Sequence, residues 1–299
     1  MRFLVAGSSG FLGTHLVEAL RAGGDDVRTL VRRAVQSDAE VRWDPAAGGL
    51  DHAALDGVDV VVNLAGSPTI GNPHSGRWAR NLRESRVSTT HVLAEAVAAS
   101  AGKPAFVAQN ALAWYGDHGS DPVTETDQSL GDSLMTRVTR EWQDAAEPAV
   151  EAGARVAVLR TPPVIDGDSA PLKQLALLYK LGLGARLGSG RQFFPVVSLS
   201  DWVAAATFVA RHATLSGPVN ICAPRTPTNA EFSAALARAV HRPALLVAPA
   251  FVLRPAAGPM APEILGSVNL VPERLLDAGF AFQDADVDDV IASGLAKRR

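Results

Sequence analysis

The residues Phe3-Leu4-Val5-Ala6-Gly7-Ser8-Ser9-Gly10-Phe11-Leu12-Gly13 constrain this chain more than any other segment, because an apolar run breaks into three glycines spaced by three. The run reads as a short buried strand. Leu12, Leu16 and Leu20 then recur on one face of a helix that starts inside the glycine motif. The first amides of such a helix have no internal partner, and its dipole is positive at that end. A pyrophosphate placed at the turn gains from both effects. Glycine at 7 permits the turn, at 10 it lets phosphates approach the backbone, and at 13 it lets helix and strand pack closely. Gly7, Ser9, Gly10, Phe11, Leu12 and Gly13 are therefore the first cofactor-binding candidates.

A second strand is expected at Val27-Arg28-Thr29-Leu30-Val31, and it ends in Arg32-Arg33. An acidic residue at that point would bind a free ribose 2′-hydroxyl, whereas arginine suits a 2′-phosphate. The pattern favours NADP over NAD. The competing reading of Arg32-Arg33 is a solvated loop.

Hydrophobic residues make up 47% of the 299 positions and charged residues 20%, which predicts a folded core in one large domain or one domain plus a smaller lobe. A formal net charge of −3 gives no electrostatic case for nucleic acid or an anionic membrane as partner. The single cysteine, Cys222, excludes an internal disulfide and a cysteine metal cluster, and reads as a buried thiol. None of the histidines, at 15, 52, 74, 91, 118, 212 and 241, has metal-ligand spacing, so no metal is expected. Asp121, Glu125 and Asp127 read as a solvated acidic loop, and no Gly-x-Ser-x-Gly marks a hydrolase. The glycine-rich stretch 182–192 lacks the ending of a phosphate loop and reads as loop and short strand. The start leads straight into the first strand, and no apolar run reaches membrane-spanning length, so a cytoplasmic protein is expected.

Strand and helix patterns alternate through the first two-thirds. Strands are expected at 58–66, 105–110, 155–160 and 219–222. Helices are expected at 78–100, 133–151, 172–181, 200–214, 228–240, 272–278 and 287–295. Asp201 is the expected cap of the helix near 200, and Thr228 or Asn229 that of the helix near 228. The class is α/β: a Rossmann-type doubly wound parallel sheet over 1–165, with a smaller α/β lobe over 166–299, the two interleaved.

GSSGFLG at 7–13, VVVNLAG at 60–66, WYGD at 114–117, LRTPPVI at 159–165 and GSGRQFFPVV at 188–197 together resemble the extended short-chain dehydrogenase/reductases. Arg83-Glu84-Ser85-Arg86-Val87, Leu265-Gly266-Ser267, Pro272-Glu273-Arg274-Leu275-Leu276 and Gly279-Phe280-Ala281-Phe282 narrow the resemblance to the NADP-binding epimerase family subgroup and its C-terminal module. The resemblance implies that Arg32, with Arg33 beside it, meets the 2′-phosphate. It implies that Leu64, Ala65 and Gly66 line the adenine and ribose side, that Asn81 and Arg86 face the cofactor from a helix, and that Pro163 and Val164 lie beside the nicotinamide. It also implies a small-molecule substrate, with a sugar nucleotide as one candidate, and a homodimer formed through helices 78–100 and 133–151.

Enzymes of this type usually work with Ser, Tyr and Lys, the last two as Tyr-x-x-x-Lys on one helix face. This chain lacks that pair: its tyrosines are Tyr115 and Tyr179, and neither has a lysine four residues on. The tyrosine and lysine slots fall on Ser133 and Arg137, and the serine slot on Ala111. Tyr115, Ser133 and Arg137 remain the catalytic candidates. Arg137 can hold a ribose hydroxyl but cannot shuttle a proton at neutral pH. Ser133 has no activating base visible in the sequence. Two readings stay open: an NADP-dependent oxidoreductase or epimerase with a non-standard acid/base group, and an NADP-bound scaffold or redox sensor without turnover.

Overall fold

The continuously apolar segments become the inner strands of a seven-stranded sheet. The computed structural model describes residues 1–47 and 49–296. These divide into two units, one formed by residues 1–110, 138–159 and 206–219, the other by 111–137, 160–205 and the remainder from 220. A single cut near 165 does not reproduce this division. Residues 111–137 belong to the second unit, and the first recovers 206–219, whose end supplies an edge of its sheet.

The sheet is built from β1 (Arg2–Ala6), β2 (Asp26–Val31), β3 (Glu40–Arg42), β4 (Val60–Asn63), β5 (Ala105–Ala111) and the strands Val156–Thr161 and Gly217–Asn220. Its order is Gly217–Asn220, Val156–Thr161, β5, β4, β1, β2, β3. The pairs β1–β2, β1–β4, β2–β3 and β4–β5 are parallel. β4 and Val156–Thr161 are buried along their whole length, as a sheet covered on both faces requires. Helix α1 (Phe11–Ala22) buries Gly13, Leu16, Val17 and Leu20. Helix α2 (Gly76–Ala99) starts on Ser75, whose side chain accepts the Trp78 amide at 3.3 Å. Leu4, Val61, Leu93, Val97, Phe106 and Val158 share one apolar core. Strand order reverses at β1, which lies between β2 and β4; in such sheets this switch point opens a crevice at the carboxyl ends of the strands.

The helix expected over 133–151 is interrupted. It forms α3 (Leu134–Asp144) and a short helix Glu147–Glu151. Pro148 sits in the first turn of the second piece, where its missing N–H is tolerated and a continuous helix is not.

Apolar side chains of the second unit gather in clusters. Leu172, Tyr179, Phe232, Leu236 and Val290 anchor one, and Tyr115, Val123, Cys222, Val268 and Leu270 form another. Three short parallel strand pairs tie it together: Val164–Ile165 with Val197–Ser198, Ala185–Leu187 with Leu246–Ala248, and Pro122–Val123 with Asn269–Leu270. Thr228 caps helix Asn229–Ala239 in a capping box, its hydroxyl accepting the Glu231 amide at 3.2 Å while Glu231 accepts the Thr228 amide at 2.7 Å. Asp201 does not cap helix Leu199–Arg211. Ser198 takes that role by accepting the Asp201 amide at 3.3 Å, and the Asp201 carboxylate instead accepts the amides of Gln283 and Asp284, each at 2.9 Å. Helix Ala250–Ala257 carries Pro255 within it and buries none of its residues.

Candidate functional site

A cleft of about 1230 Å³ opens in the first unit at the switch point. Its floor is the turn from β1 into α1. Gly7 there has φ +79°, and a Cβ would lie 2.5 Å from the Leu64 carbonyl carbon; at Gly13 a Cβ would overlap the Gly7 carbonyl oxygen. Both positions therefore require glycine for backbone reasons. The Gly10 amide donates to Gly7 O at 3.0 Å, which closes the turn. No side chain caps α1 at Gly10. The start of the helix thus presents backbone amides and a positive dipole end to the cleft, and no resident carboxylate competes for them. Ser8, Ser9 and Gly10 line this part. Phe11, Leu12 and Gly13 stand in the first turn of the same helix, and none of the three lines the cleft.

The far end of the cleft holds Arg32, Arg33 and Glu40. The two arginines differ. Arg33 grips Glu40 with both guanidinium nitrogens, at 2.8 and 2.5 Å. That pairing raises the arginine and pulls the carboxyl below its ordinary range, with the Gln36 amide adding to the second effect. Arg32 is exposed and joins no ion pair among the described residues. Of these two, Arg33 is thus charge-compensated, and Arg32 is the one available to an anion in the cleft.

Leu64, Ala65 and Gly66 line the opposite wall together with Ser67, Ser85 and Thr89. The wall is braced from behind. Asn63 receives the Ala65 amide at 3.0 Å and donates to Thr90 at 2.9 Å, and the Trp142 indole donates to the same hydroxyl at 2.9 Å. Ser85, Ser88 and Thr89 are cleft residues that the sequence reading missed. Their spacing of three and four on α2 puts them on one helix face, and this was the available signal.

Arg86 does not reach the cleft. It is buried, it donates to Leu82 O at 3.0 Å and to Ser67 O and Thr69 Oγ1 at 3.1 Å, and its guanidinium lies 5.2 Å from the Trp142 ring. Burial pulls its pKa down to about 10. It is a fastener for the loop after β4. Asn81 is exposed one turn earlier, outside the cleft lining, and gives only its carbonyl to Ser67.

The remaining candidates lie in or at the start of segments of the second unit. Pro163 and Val164 belong to the short strand pair, where Pro163 O accepts the Val197 amide at 3.3 Å. Tyr115 is not an available acid. Its side chain is fully buried, its hydroxyl donates to Asn220 at 2.7 Å, and Arg160 stacks between Trp114 and its ring, 3.4 and 4.7 Å from the two centroids. Burial pushes its pKa up to about 12 despite the neighbouring guanidinium, the reverse of what a working tyrosinate needs. Arg137 is exposed and bonds Asp132 through its carbonyl at 2.7 Å and its carboxylate at 3.2 Å. Ser133 accepts the Thr136 amide at 3.1 Å at the start of α3. It also has the carboxylate that the sequence did not reveal: its hydroxyl donates to Glu263 at 3.0 Å. Burial raises Glu263 above its ordinary range, and the Ser133 bond partly offsets this.

One side reading changes and one holds. Glu125 is not solvated: it is buried and accepts the Asn220 amide at 2.9 Å and the Arg274 amide at 3.4 Å. Cys222 is a buried thiol, raised well above its ordinary pKa by burial. Among the described residues, no cluster of three or more His, Cys, Asp or Glu could hold a metal, and no helix is long and apolar enough to cross a membrane.

An uncapped helix start at the switch point of a doubly wound sheet defines a nucleotide-binding protein of the Rossmann class. Comparison with known proteins narrows this. Residues 3–137 match the NAD dependent epimerase/dehydratase family, and residues 248–293 match a domain of unknown function (DUF1731). Epimerase family protein Mb2239 of Mycobacterium bovis is 39% identical over 96% of this chain and 95% of its own length. A crystal structure of human epimerase family protein SDR39U1 (isoform2) with NADPH superposes with a TM-score of 0.88 at 28% identity, covering 98% of this chain and 99% of that one. A nucleoside-diphosphate sugar epimerase from Corynebacterium glutamicum gives a TM-score of 0.81 at 30% identity, covering 99% of this chain and 58% of that one. The chain belongs to the epimerase family proteins, with the NAD-dependent epimerase domain and the C-terminal module together.

Proposed function

We propose that this chain is an NADP(H)-dependent oxidoreductase of the epimerase type, acting on a small polar substrate, with nucleoside-diphosphate sugars as the first class to test. One observation carries the cofactor assignment: the same cleft holds an uncapped helix start at one end and an arginine that has no carboxylate partner among the described residues at the other. The amides after Gly7 would hold the pyrophosphate, Arg32 the 2′-phosphate, and Leu64 to Gly66 the adenosine. Bound NADP(H) would supply the hydride acceptor or donor. NADPH in the human relative and the substrate class in the name of the Corynebacterium protein support the reading.

Ser133 and Glu263 are the protein's proton-handling pair in this reading. The serine hydroxyl already points its proton at a carboxylate, and burial keeps that carboxylate easier to protonate than an exposed glutamate. The second reading, an NADP-bound scaffold or sensor, is favoured by Tyr115 being locked in the core and Arg137 being tied to Asp132.

Calorimetric titration with NADPH and NADH tests the first step. Tighter NADPH binding is expected, and failure to bind either dinucleotide would end both readings. A panel of UDP- and dTDP-sugars with NADP(H), followed at the nicotinamide absorbance and by chromatography of the sugars, separates the two. Cofactor binding with no conversion across the panel favours the scaffold.

A further inference from the structure

We infer that the second unit carries a docking surface for an anionic lipid bilayer, formed by the end of helix Ala170–Lys180, the strand Leu246–Ala248 and helix Ala250–Ala257. Large apolar side chains stand open on it: Leu245 is 84% exposed, Phe251 77%, Leu181 64% and Leu177 58%. Leu183 and Leu246 are exposed with them. These are neighbours in space. Leu246 registers on Ala185 in the short parallel pair, Arg242 donates to Lys180 O at 3.4 Å, and a Cβ on Gly188 would lie 3.8 Å from the Ala250 Cβ. Scattered surface leucines need no explanation, but a contiguous apolar patch marks an interaction site.

Charge decides what the patch meets. No Asp or Glu occurs between residues 171 and 200, or between 232 and 262, although the chain has 31 acidic residues. These two stretches supply the surface; their exposed charges are Lys173 and Arg238, which pair with Asp168 and Asp288, and five others, Lys180, Arg186, Arg191, Arg242 and Arg254. Some surface arginines elsewhere meet carboxylates, as in Arg33–Glu40, Arg137–Asp132 and Arg211–Asp25. Among the described residues none of these five is in an ion pair. The net charge of −3 averages over this segregation and hides it.

A second copy of the chain is a poor occupant. A two-fold contact would set the same unbalanced cations against one another. An anionic bilayer accepts both features, since the leucines and Phe251 enter the acyl boundary while the cations meet lipid phosphates. The contact is peripheral, for the helices involved have 11 and 8 residues.

The test is flotation of the full chain with vesicles of phosphatidylglycerol or of phosphatidylcholine, at low and high salt. Binding to the anionic vesicles alone, weakened by salt, is expected. Lys180→Gln with Arg242→Gln should lower partitioning about thirtyfold, taking roughly a fivefold factor for each cation near the surface. Phe251→Ser should lower it about tenfold or more through lost apolar insertion. Arg225→Gln, outside the patch, should change nothing. Circular dichroism melts check that the variants fold. Absence of binding to either vesicle, or equal binding to both, overturns the proposal. So does a concentration-dependent dimer in analytical ultracentrifugation that Phe251→Ser converts to monomer, because the patch would then belong to a second copy.

Discussion

Replacing Arg32 by alanine should separate NADPH from NADH. Arg32 and Arg33 line the same end of the cleft, but only Arg33 is compensated, by its two bonds to Glu40. A charge-assisted hydrogen bond to a phosphate contributes ~1.5–3 kcal/mol, or roughly 10- to 150-fold in affinity. Arg32 is exposed, so solvent screening puts the expected loss for NADPH in the lower part of that span, about ten- to thirtyfold. NADH has no 2′-phosphate and should bind within about twofold of its original affinity, since no new contact is lost. Glu40→Gln works in the opposite direction. It releases Arg33 and removes an anion from the cleft, so NADPH should bind more tightly and NADH little differently. Raising salt should erode the NADPH preference of the parent protein, as expected of an exposed cation. Calorimetry with both dinucleotides on the three proteins measures all of this. Equal losses of NADPH and NADH in Arg32→Ala would refute the assignment, because a general weakening of the cleft does not read the 2′ position.

Three further outcomes are expected. Tyr115→Phe should lower the urea unfolding free energy by about 1–2 kcal/mol, the cost of a buried hydrogen bond whose Asn220 acceptor stays behind, and should leave NADPH binding unchanged; lost turnover with full stability would return Tyr115 to the chemistry. Glu125→Gln should raise Tm near neutral pH, with the gain shrinking as pH falls towards about 4. The sign follows from burial, which raises the folded-state pKa above the ordinary 4.5: the wild-type contribution is favourable below that value and is lost as pH rises through the folded pKa, a loss that the neutral amide does not suffer. A Tm difference that grows towards acid would contradict this. Thr228→Ala should destabilise by ~1 kcal/mol through loss of the capping box, read from denaturant midpoints at constant m-value.

The glycine turn, the sheet and the opposed arginines were legible because each rests on local chemistry: a positive φ at Gly7, doubly buried strands, and basic residues just past a strand end. The family resemblance added Leu64 to Gly66, and the cleft contains them. It misplaced Arg86 and Asn81 with respect to the cleft, because periodicity gives a helix face but not whether a long side chain turns inward to fasten a loop. Ser133 looked unactivated because its carboxylate lies 130 residues away in sequence. Glu125 looked solvated for the same reason, since its amide donors come from Asn220 and Arg274. Asp201 gave up the expected cap to Ser198 because either residue can cap a helix, and only the position of Gln283 and Asp284 decides between them.

The threading of the second unit sets an order on biosynthesis. Tyr115 and Val123 emerge from the ribosome early, yet their apolar neighbours Cys222, Val268 and Leu270 are translated about a hundred or more residues later. The strand Pro122–Val123 likewise waits for Asn269–Leu270. Nascent chains that stall before residue 268 would hold a sticky, partnerless segment. Chaperone dependence should therefore concentrate in the last stretch of translation, and release of a full-length chain is the event that relieves it.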